Sequence, residues 1–254
     1  MFPIRDDNPT LSTAWMTFLI IGLNVAAWIF LQGFGMFPQL PISLCRFGVI
    51  PGELLGVVPP GTTVPLGPGM SCVVEASHNW YTVLTHMFMH GGWLHIIGNM
   101  WFLYIFGDNV EDSMGPVRFL VFYLWCGLAA VLVQMIVNPY SPVPMVGASG
   151  AISGVMGAYI ILFPRALVHM LVFFGFFFTR IVVPAFFMLG YWFLLQIMGG
   201  FFALGAASGG VAFWAHVGGF VAGMLFILPI CDQERARSCR ARKGVLQGFV
   251  KRMR

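Results

Sequence analysis

Ser149 is the residue whose setting most strongly suggests chemistry, because it lies between glycines where a loop changes into an apolar helix. A Pro-rich loop at residues 138–144 precedes it, and Gly147, Ala148 and Gly150 surround it. A serine on a tight, glycine-flanked turn at the start of a helix is typical of a nucleophile whose hydroxyl must stay accessible. Small residues continue along the same helix, so close packing against another helix is the alternative interpretation.

His216 is the candidate base for such a serine. It lies beside Ala215, which with Gly219 and Gly223 places a small residue at every fourth position. That spacing makes a flat helix face on which another helix can pack closely, so the helices of Ser149 and His216 can be neighbours. A neutral imidazole can accept the proton of a serine hydroxyl. The alternative is a structural histidine held by a hydrogen bond within the membrane.

A histidine-rich stretch offers further polar groups. His95 and Asn99 are four residues apart and therefore share one face of a helix, as do His86 and His90. Polar groups within a span face protein or a water-filled cavity and are functional by default, although a hydrogen bond between helices is the alternative for Asn99. His86 and His90 have the spacing of helical metal ligands, but no Glu follows His86 as a zinc-protease helix requires. We therefore expect no metal and no other cofactor.

The composition places these residues in a membrane. Of 254 residues, 59% are hydrophobic and 9% charged, and the mean hydropathy is +0.86, which leaves too little polar surface for a water-soluble globule. A helix needs about 20 residues to cross an apolar core of about 30 Å. Six apolar runs are candidates, at residues 13–34, from the histidine-rich stretch to about 107–112, and at 116–137, 147–163, 181–198 and 211–230. The first run is longer than a signal-peptide core, so no cleavage is expected. These runs predict an all-α polytopic membrane protein, a six-transmembrane-helix bundle with a long first outer loop.

Three connections between the runs carry further predictions. Residues 35–78 are rich in Pro and Gly and are expected to form the largest element outside the membrane. Residues 166–178 are apolar but too few to span, which favours an interfacial or re-entrant connector. Residues 199–210 carry no charge, and Phe201 and Phe202 among their glycines predict a movable substrate gate over a buried site. An interfacial turn is the alternative for that segment.

The basic residues predict how the chain crosses the membrane. Eight of the 13 Lys and Arg residues lie at residues 232–254, and only Arg46 falls on the side opposite to the others. This asymmetry places both termini in the cytoplasm, and we expect a bacterial inner (plasma) membrane. The predicted organisation is a cytoplasmic N-terminus at 1–12, a six-helix domain at 13–231 and a basic cytoplasmic tail at 232–254. The tail is expected to attract anionic membrane lipids and not nucleic acid.

With this orientation the second, fourth and sixth helices begin at the outer face, which brings four polar residues to one depth: His95, Asn99, Ser149 and His216. No carboxylate lies at that depth to orient His216, and the only two lysines lie in the tail. The residues therefore predict a Ser-His dyad and exclude a Ser-Lys pair. Backbone N–H groups from Ser149 onward, together with the side chains of Asn99 and His95, are expected to hold an oxyanion.

These stretches in combination resemble the rhomboid family of intramembrane serine proteases. The matching residues are 90–99, 147–150 and 215–223, and residues 111–115 are similar to the family's turn after the second helix. Within them, Gly147, Ala148, Gly150, Ala215, Gly219 and Gly223 are the small residues of the motifs. The resemblance covers the six-span core from about residue 81 to residue 228.

The resemblance implies a role for each polar residue at that depth. Ser149 would be the nucleophile, His216 the base, and His95 and Asn99 contributors to the oxyanion site. It also implies that the chain cleaves membrane-anchored substrates, single-pass transmembrane proteins, in or near their transmembrane segment.

Two positions depart from the family pattern. The Trp-Arg pair that some members carry in the first loop is Tyr81-Thr82 here. The tyrosine that some members place four residues after the serine, against the histidine, is Ser153. The departures concern the anchoring of the first loop and the packing of the imidazole, not the dyad.

Two other classes of protein compete with a protease. A catalytically inactive rhomboid-like membrane chaperone or substrate-binding protein would be expected to lack Ser149 or His216, and both are present. A small-solute transporter is a third interpretation, but neither a pair of charged residues nor broken helices mark a site at the midplane.

The cysteines divide by their predicted side of the membrane. Cys45 and Cys72 both lie in the first outer loop, whereas the other three are membrane-embedded or cytoplasmic. An oxidising outer face favours a disulfide between Cys45 and Cys72. Two unpaired thiols are the alternative.

Overall fold

The chain folds as a mostly helical body with two small β-sheets, and the computed structural model describes residues 2–67, 69–174, 177–203, 211–231 and 234. The helices are α1 (Trp15–Phe30), α2 (Gln39–Phe47), α3 (Pro51–Leu54), α4 (Thr82–Thr85), α5 (Trp93–Met114), α6 (Pro116–Val137), α7 (Ser149–Leu162), α8 (Ala185–Ala203) and α9 (Phe213–Ile230), with 3-10 turns at Gly33–Gly35 and His86–Phe88. The strands are β1 (Phe2–Asp6), β2 (Thr63–Gly67), β3 (Met70–Val73), β4 (Leu167–Phe174) and β5 (Phe177–Pro184). The predicted tail, residues 232–254, lies outside the described residues except for Glu234.

Three of the long helices, α6, α8 and α9, are long and apolar enough to cross a membrane. α1 and α7 are also apolar but shorter, with 16 and 14 residues. α5 has 22 residues and carries the polar side chains His95 and Asn99 near its start. All six predicted runs therefore contain a helix, while the count of six membrane crossings stays a prediction.

α7 lies at the centre of the helical body and packs on α5, α6 and α9. All of its residues from Gly150 to Tyr159 are buried. A Cβ atom on Gly223 would lie 2.6 Å from Cα of Gly154, and one on Gly157 would lie 3.0 Å from the carbonyl carbon of Phe220. Only glycine allows two helix backbones to approach this closely. The predicted contact between the small-residue faces of α7 and α9 is confirmed.

Glu111, near the end of α5, caps the N-terminus of α1, and its neighbour Asp112 binds the residues just before that helix. Glu111 accepts hydrogen bonds from the backbone N–H groups of Met16 at 3.0 Å and Thr17 at 2.7 Å. Asp112 accepts from the N–H of Ser12 at 3.1 Å and from its hydroxyl at 2.5 Å. Carboxylates satisfy the unpaired N–H groups at a helix start and offset its dipole. This pair therefore fixes α1 against the turn between α5 and α6.

A three-stranded antiparallel sheet, in the order β1-β4-β5, takes two of its strands from between α7 and α8 and corrects two predictions. β4 pairs with β5 where a connector was expected, whose place at the membrane interface stays a prediction, and α8 begins at Ala185 instead of residue 181. The fold is therefore not all-α. Branched and aromatic residues favour strands, but the third strand, β1, lies far away in sequence, so local periodicity does not reveal the sheet.

The connection between α1 and α5 is built from α2 to α4 and the β2–β3 hairpin. Cys45 in α2 and Cys72 in β3 form a disulfide, as predicted, with their Cα atoms 5.4 Å apart. The Tyr81 hydroxyl donates to the carbonyl oxygen of Arg46 at 3.0 Å, and the Thr85 hydroxyl donates to that of Phe47 at 2.9 Å. The loop is thus anchored on α2 by contacts that do not need a Trp-Arg pair.

Candidate active site

Ser149 is the first residue of α7, and the turn before it determines where its side chain lies. Gly147 has a φ of 124°, a left-handed conformation that favours glycine. Its N–H donates to the carbonyl oxygen of His86 at 2.9 Å, and Met145 forms a β-bridge with Val49. These contacts hold the loop so that Ser149 lines a cavity of about 790 Å³.

His216 of α9 lies next to Ser149. The Ser149 Oγ atom is 2.7 Å from Nε2 of His216, a hydrogen-bond distance that would let the imidazole take the hydroxyl proton. The contact follows from helix packing, because Gly219, one turn after His216, lies against the backbone of Gly150. The structure brings the two residues together, and their catalytic roles stay predictions.

Gln196 and Trp192 of α8 also contact His216, and neither was singled out from the sequence. Nδ1 of His216 lies 2.8 Å from Oε1 of Gln196. The Trp192 ring lies beside the imidazole, with 5.8 Å between the ring centroids. Gln196 is the only carboxamide in an otherwise apolar helix, and a polar group within a span is the signal that could have revealed it.

Ser153, at the position where some family members carry tyrosine, directs its hydroxyl to the backbone of its own helix. Its hydroxyl donates to the carbonyl oxygen of Ser149 at 2.6 Å within α7. The aromatic ring beside His216 comes instead from Trp192 on α8. The packing of the imidazole therefore depends on a different helix from the one the family pattern suggests.

Asn99 and His95 of α5 line the same cavity as Ser149 and His216. Asn99 is 7% exposed, and its Nδ2 has no hydrogen-bond partner among the described residues. Nδ1 of His95 accepts a hydrogen bond from the N–H of Gly91 at 3.2 Å, which places the proton of the neutral ring on Nε2. A Cβ atom on Gly147 would lie 2.6 Å from that Nε2. Both side chains thus carry a donor near the start of α7, as an oxyanion site would require.

The structure places His86 and His90 in different surroundings. His86 lines the cavity, and its Nδ1 lies 3.2 Å from the carbonyl oxygen of Thr82. His90 is fully buried, with its ring centroid 5.1 Å from that of His95. Among the described residues, no three His, Cys, Asp or Glu side chains are grouped as metal ligands would be.

Phe201 and Phe202, the predicted gate residues, lie in the last turn of α8, and not in a loop. The first packs edge-on against Trp214 at 5.3 Å between centroids, and the second is 82% exposed. Neither is among the described residues that line the cavity of Ser149. Residues 204–210 of the predicted gate lie outside the described residues, so the gate stays a prediction.

The helical body and its buried polar site are those of an integral membrane protein. A family model described as the rhomboid domain matches residues 77–233, which is more than half of the chain. The chain belongs to the rhomboid family. The match covers α5 to α9 and includes every residue of the candidate site.

Three relatives are similar over parts of the chain. Rhomboid-like protein 11, chloroplastic, of Arabidopsis thaliana is 44% identical over 30% of this chain and 26% of its own length. Rhomboid protease GluP of Bacillus subtilis is 37% identical over 33% of this chain and 16% of its own length. Inactive rhomboid protein 1 of Drosophila melanogaster is 35% identical over 35% of this chain and 6% of its own length. The chain thus spans about a quarter or less of the length of these relatives, which include a protease and a protein named as inactive.

Proposed function

We propose that the chain is an intramembrane serine endopeptidase in which Ser149 and His216 form a catalytic dyad. The observation that carries this proposal is the 2.7 Å contact between Ser149 Oγ and His216 Nε2 inside a cavity. A rhomboid-family membrane protein with an intact nucleophile and base fits a protease better than an inactive relative.

The proposed reaction uses the groups around that contact. Ser149 Oγ attacks the carbonyl carbon of the scissile peptide bond while its proton passes to Nε2 of His216. Asn99, His95 and the first N–H groups of α7 stabilise the oxyanion. The C–N bond then breaks, and the proton moves from His216 to the leaving nitrogen. Water hydrolyses the acyl-Ser149 ester, again with His216 as the base.

The proposed substrates are single-pass transmembrane proteins, cleaved in or near their transmembrane segment. Support comes from the membrane setting and from the mainly apolar residues that line the cavity, such as Val146, Ile152 and Trp192. We further propose that six helices cross the membrane, with both termini in the cytoplasm of a bacterial cell. In that orientation the dyad lies towards the outer face, and the basic tail meets anionic lipid on the inner face.

The test is a comparison of variants in two assays. The first assay measures covalent labelling by a fluorophosphonate probe, and the second measures cleavage of a model single-pass substrate in proteoliposomes. Ser149→Ala and His216→Ala should each abolish both reactions while expression and thermal stability stay near wild type. Ser113→Ala and His169→Ala, which change the same residue types outside the cavity, should react as the wild type does.

Two results would contradict the proposal. Cleavage by Ser149→Ala at the wild-type rate would place the nucleophile elsewhere. A wild-type protein that binds the substrate but neither cleaves it nor reacts with the probe would instead be a substrate-binding protein.

A further inference from the structure

Gln196 lies behind His216, on the side opposite to Ser149. Its Oε1 is 2.8 Å from Nδ1 of His216, and its side chain is buried. A carboxamide oxygen can only accept a hydrogen bond, so Nδ1 must carry the proton of the neutral ring. The lone pair of Nε2 is then free to accept the Ser149 hydroxyl, which is the tautomer that a general base needs.

A second contact supports this orientation of the carboxamide. Nε2 of Gln196 donates to the carbonyl oxygen of Trp192 at 3.4 Å, one turn earlier on α8. The oxygen is therefore the atom that points to the imidazole. Trp192 and Gln196 are four residues apart and share one helix face, so α8 places an aromatic ring and a hydrogen-bond acceptor against the same histidine.

α8 is attached to the helical body less tightly than the helices that carry Ser149 and His216. It packs chiefly on α9, and over a smaller part of that helix than α7 does. Its opposite face exposes large apolar side chains, among them Phe187 and Leu194. The acceptor for the base thus lies on a helix whose displacement would leave the packing of α7 on α9 in place.

We propose that Gln196 is a positioning residue that makes the activation of His216 depend on the position of α8. When α8 is seated against α9, Gln196 holds the Nδ1–H tautomer and Ser149 is activated. When α8 is displaced, the acceptor leaves and the imidazole is free to rotate or change tautomer. This inference rests on the proposed protease function. It adds that α8 has two alternative positions: the displaced position admits substrate, and the seated position supports catalysis.

Three variants test the orienting role of Gln196. Gln196→Met keeps the length of the side chain but removes the acceptor, and Gln196→Glu keeps an oxygen acceptor. Leu195→Met is the matched control, because Leu195 lies next to Gln196 on the exposed face of α8. A wrong histidine tautomer costs a triad protease about 10⁴-fold. A neutral acceptor holds the ring less strongly than a carboxylate, so we expect Gln196→Met to lose about 10- to 10²-fold.

The expected loss has a specific kinetic form. Gln196→Met should lower kcat for a transmembrane substrate and the rate of fluorophosphonate labelling by a similar factor, with KM nearly unchanged. Gln196→Glu should recover most of both rates, and Leu195→Met should match the wild type. A Gln196→Met protein with wild-type rates, or one in which only KM rises, would overturn the orienting role.

A readout that needs no activity separates this inference from the proposed function. The chain has six histidines, and the ¹⁵N imidazole signal of His216 can be assigned by its loss in His216→Ala. The wild type should show the Nδ1–H tautomer, and Gln196→Met should show a mixture with Nε2–H. An Nε2–H tautomer in the wild type would overturn the inference even if the protein cleaves substrates. The predicted tautomer in a protein that cleaves nothing would contradict only the protease function.

The dependence on α8 is tested by moving the helix without replacing Gln196 or Trp192, the side chains that contact His216. A Cβ atom on Gly199 would lie 2.5 Å from the ring of Phe213 in α9, whereas nothing lies within 4 Å of one on Gly190. Gly199→Leu should therefore push the end of α8 away from α9, and Gly190→Leu is the matched control on the same helix. The first should reduce labelling and shift the His216 tautomer as Gln196→Met does, while the second should do neither. Wild-type labelling and tautomer in a folded Gly199→Leu protein would refute the coupling.

Discussion

Replacement of Gly219 by alanine tests whether the packing of α7 on α9 sets the geometry of the proposed dyad. Gly219 lies one turn after His216, and its partner across the interface is Gly150, next to Ser149. A Cβ atom on Gly219 would lie 3.0 Å from the carbonyl carbon of Gly150 and closer still to the carbonyl oxygen. Both neighbours are backbone atoms, so no side-chain rotation can relieve the overlap.

The size of the effect follows from these distances. Ordinary contacts of a Cβ atom begin at 3.4 Å, so the helices must separate or slide by on the order of 1 Å to admit the methyl group. The Ser149–His216 contact of 2.7 Å would then exceed the usual range of a hydrogen bond. A misplacement of about 1 Å can cost about 10²-fold in rate. We expect Gly219→Ala to lose about that factor in fluorophosphonate labelling.

The assay must separate lost geometry from lost folding. Labelling rates are measured on protein that is first shown by thermal unfolding to be folded at the assay temperature. Gly190→Ala in α8 and Gly22→Ala in α1 are matched controls, because a Cβ atom on either would meet nothing within 4 Å. Alanine is preferred over glycine in helices by up to about 1 kcal/mol, so the controls should keep the wild-type rate and be at least as stable as the wild type.

The reasoning would be refuted in either of two ways. A folded Gly219→Ala protein that labels at the wild-type rate would show that the interface tolerates a methyl group. An equal loss in Gly190→Ala would show that the effect comes from glycine replacement in general and not from this contact.

Two further predictions concern the oxyanion site and the gate. Asn99→Ala should lower cleavage by on the order of 10²-fold, because the backbone donors of α7 remain; an unchanged rate would make Asn99 a packing residue. Replacing both Phe201 and Phe202 by alanine should change the cleavage rate of a transmembrane substrate but not the thermal stability. Cross-linking α5 to α8 through introduced cysteines should slow the same reaction. If neither change alters the cleavage rate, the gate lies elsewhere.

The candidate site could be predicted from the sequence to the extent that its signals are local. The small residues before and after Ser149, and those at Ala215, Gly219 and Gly223, indicate two faces suited to close approach. Their contact in the structure brings His216 to Ser149. The pairing of Cys45 with Cys72 was likewise predictable, because both lie in one connection.

The remaining features depend on partners that are distant in sequence. The sequence marks Gln196 only as a polar residue in an apolar helix, and its partner, His216, is identified only by the packing of α8 beside α9. β4 and β5 are neighbours in the sequence, but β1, which pairs with β4, is distant, and periodicity between Leu167 and Pro184 does not reveal it. The turn at 111–115 was singled out only by resemblance, and in the structure Glu111 caps α1 while Asp112 binds the segment before it. The position of a helix can be predicted from local sequence, whereas a cap, a sheet or an orienting group depends on residues that are distant in the sequence.

α9 contacts α7 through backbone atoms and α8 through side chains, and this difference determines where the helical body can open. Against α7, α9 meets backbone with backbone at Gly154 and Gly223, so separation there would break the site that a substrate must reach. Against α8, α9 meets side chains, as where the rings of Phe193 and Phe220 stack at 4.5 Å. Contacts between packed side chains can shift by small sliding movements. A transmembrane substrate is therefore expected to enter along α8, where movement leaves Ser149 beside His216 but withdraws the acceptor that orients the base.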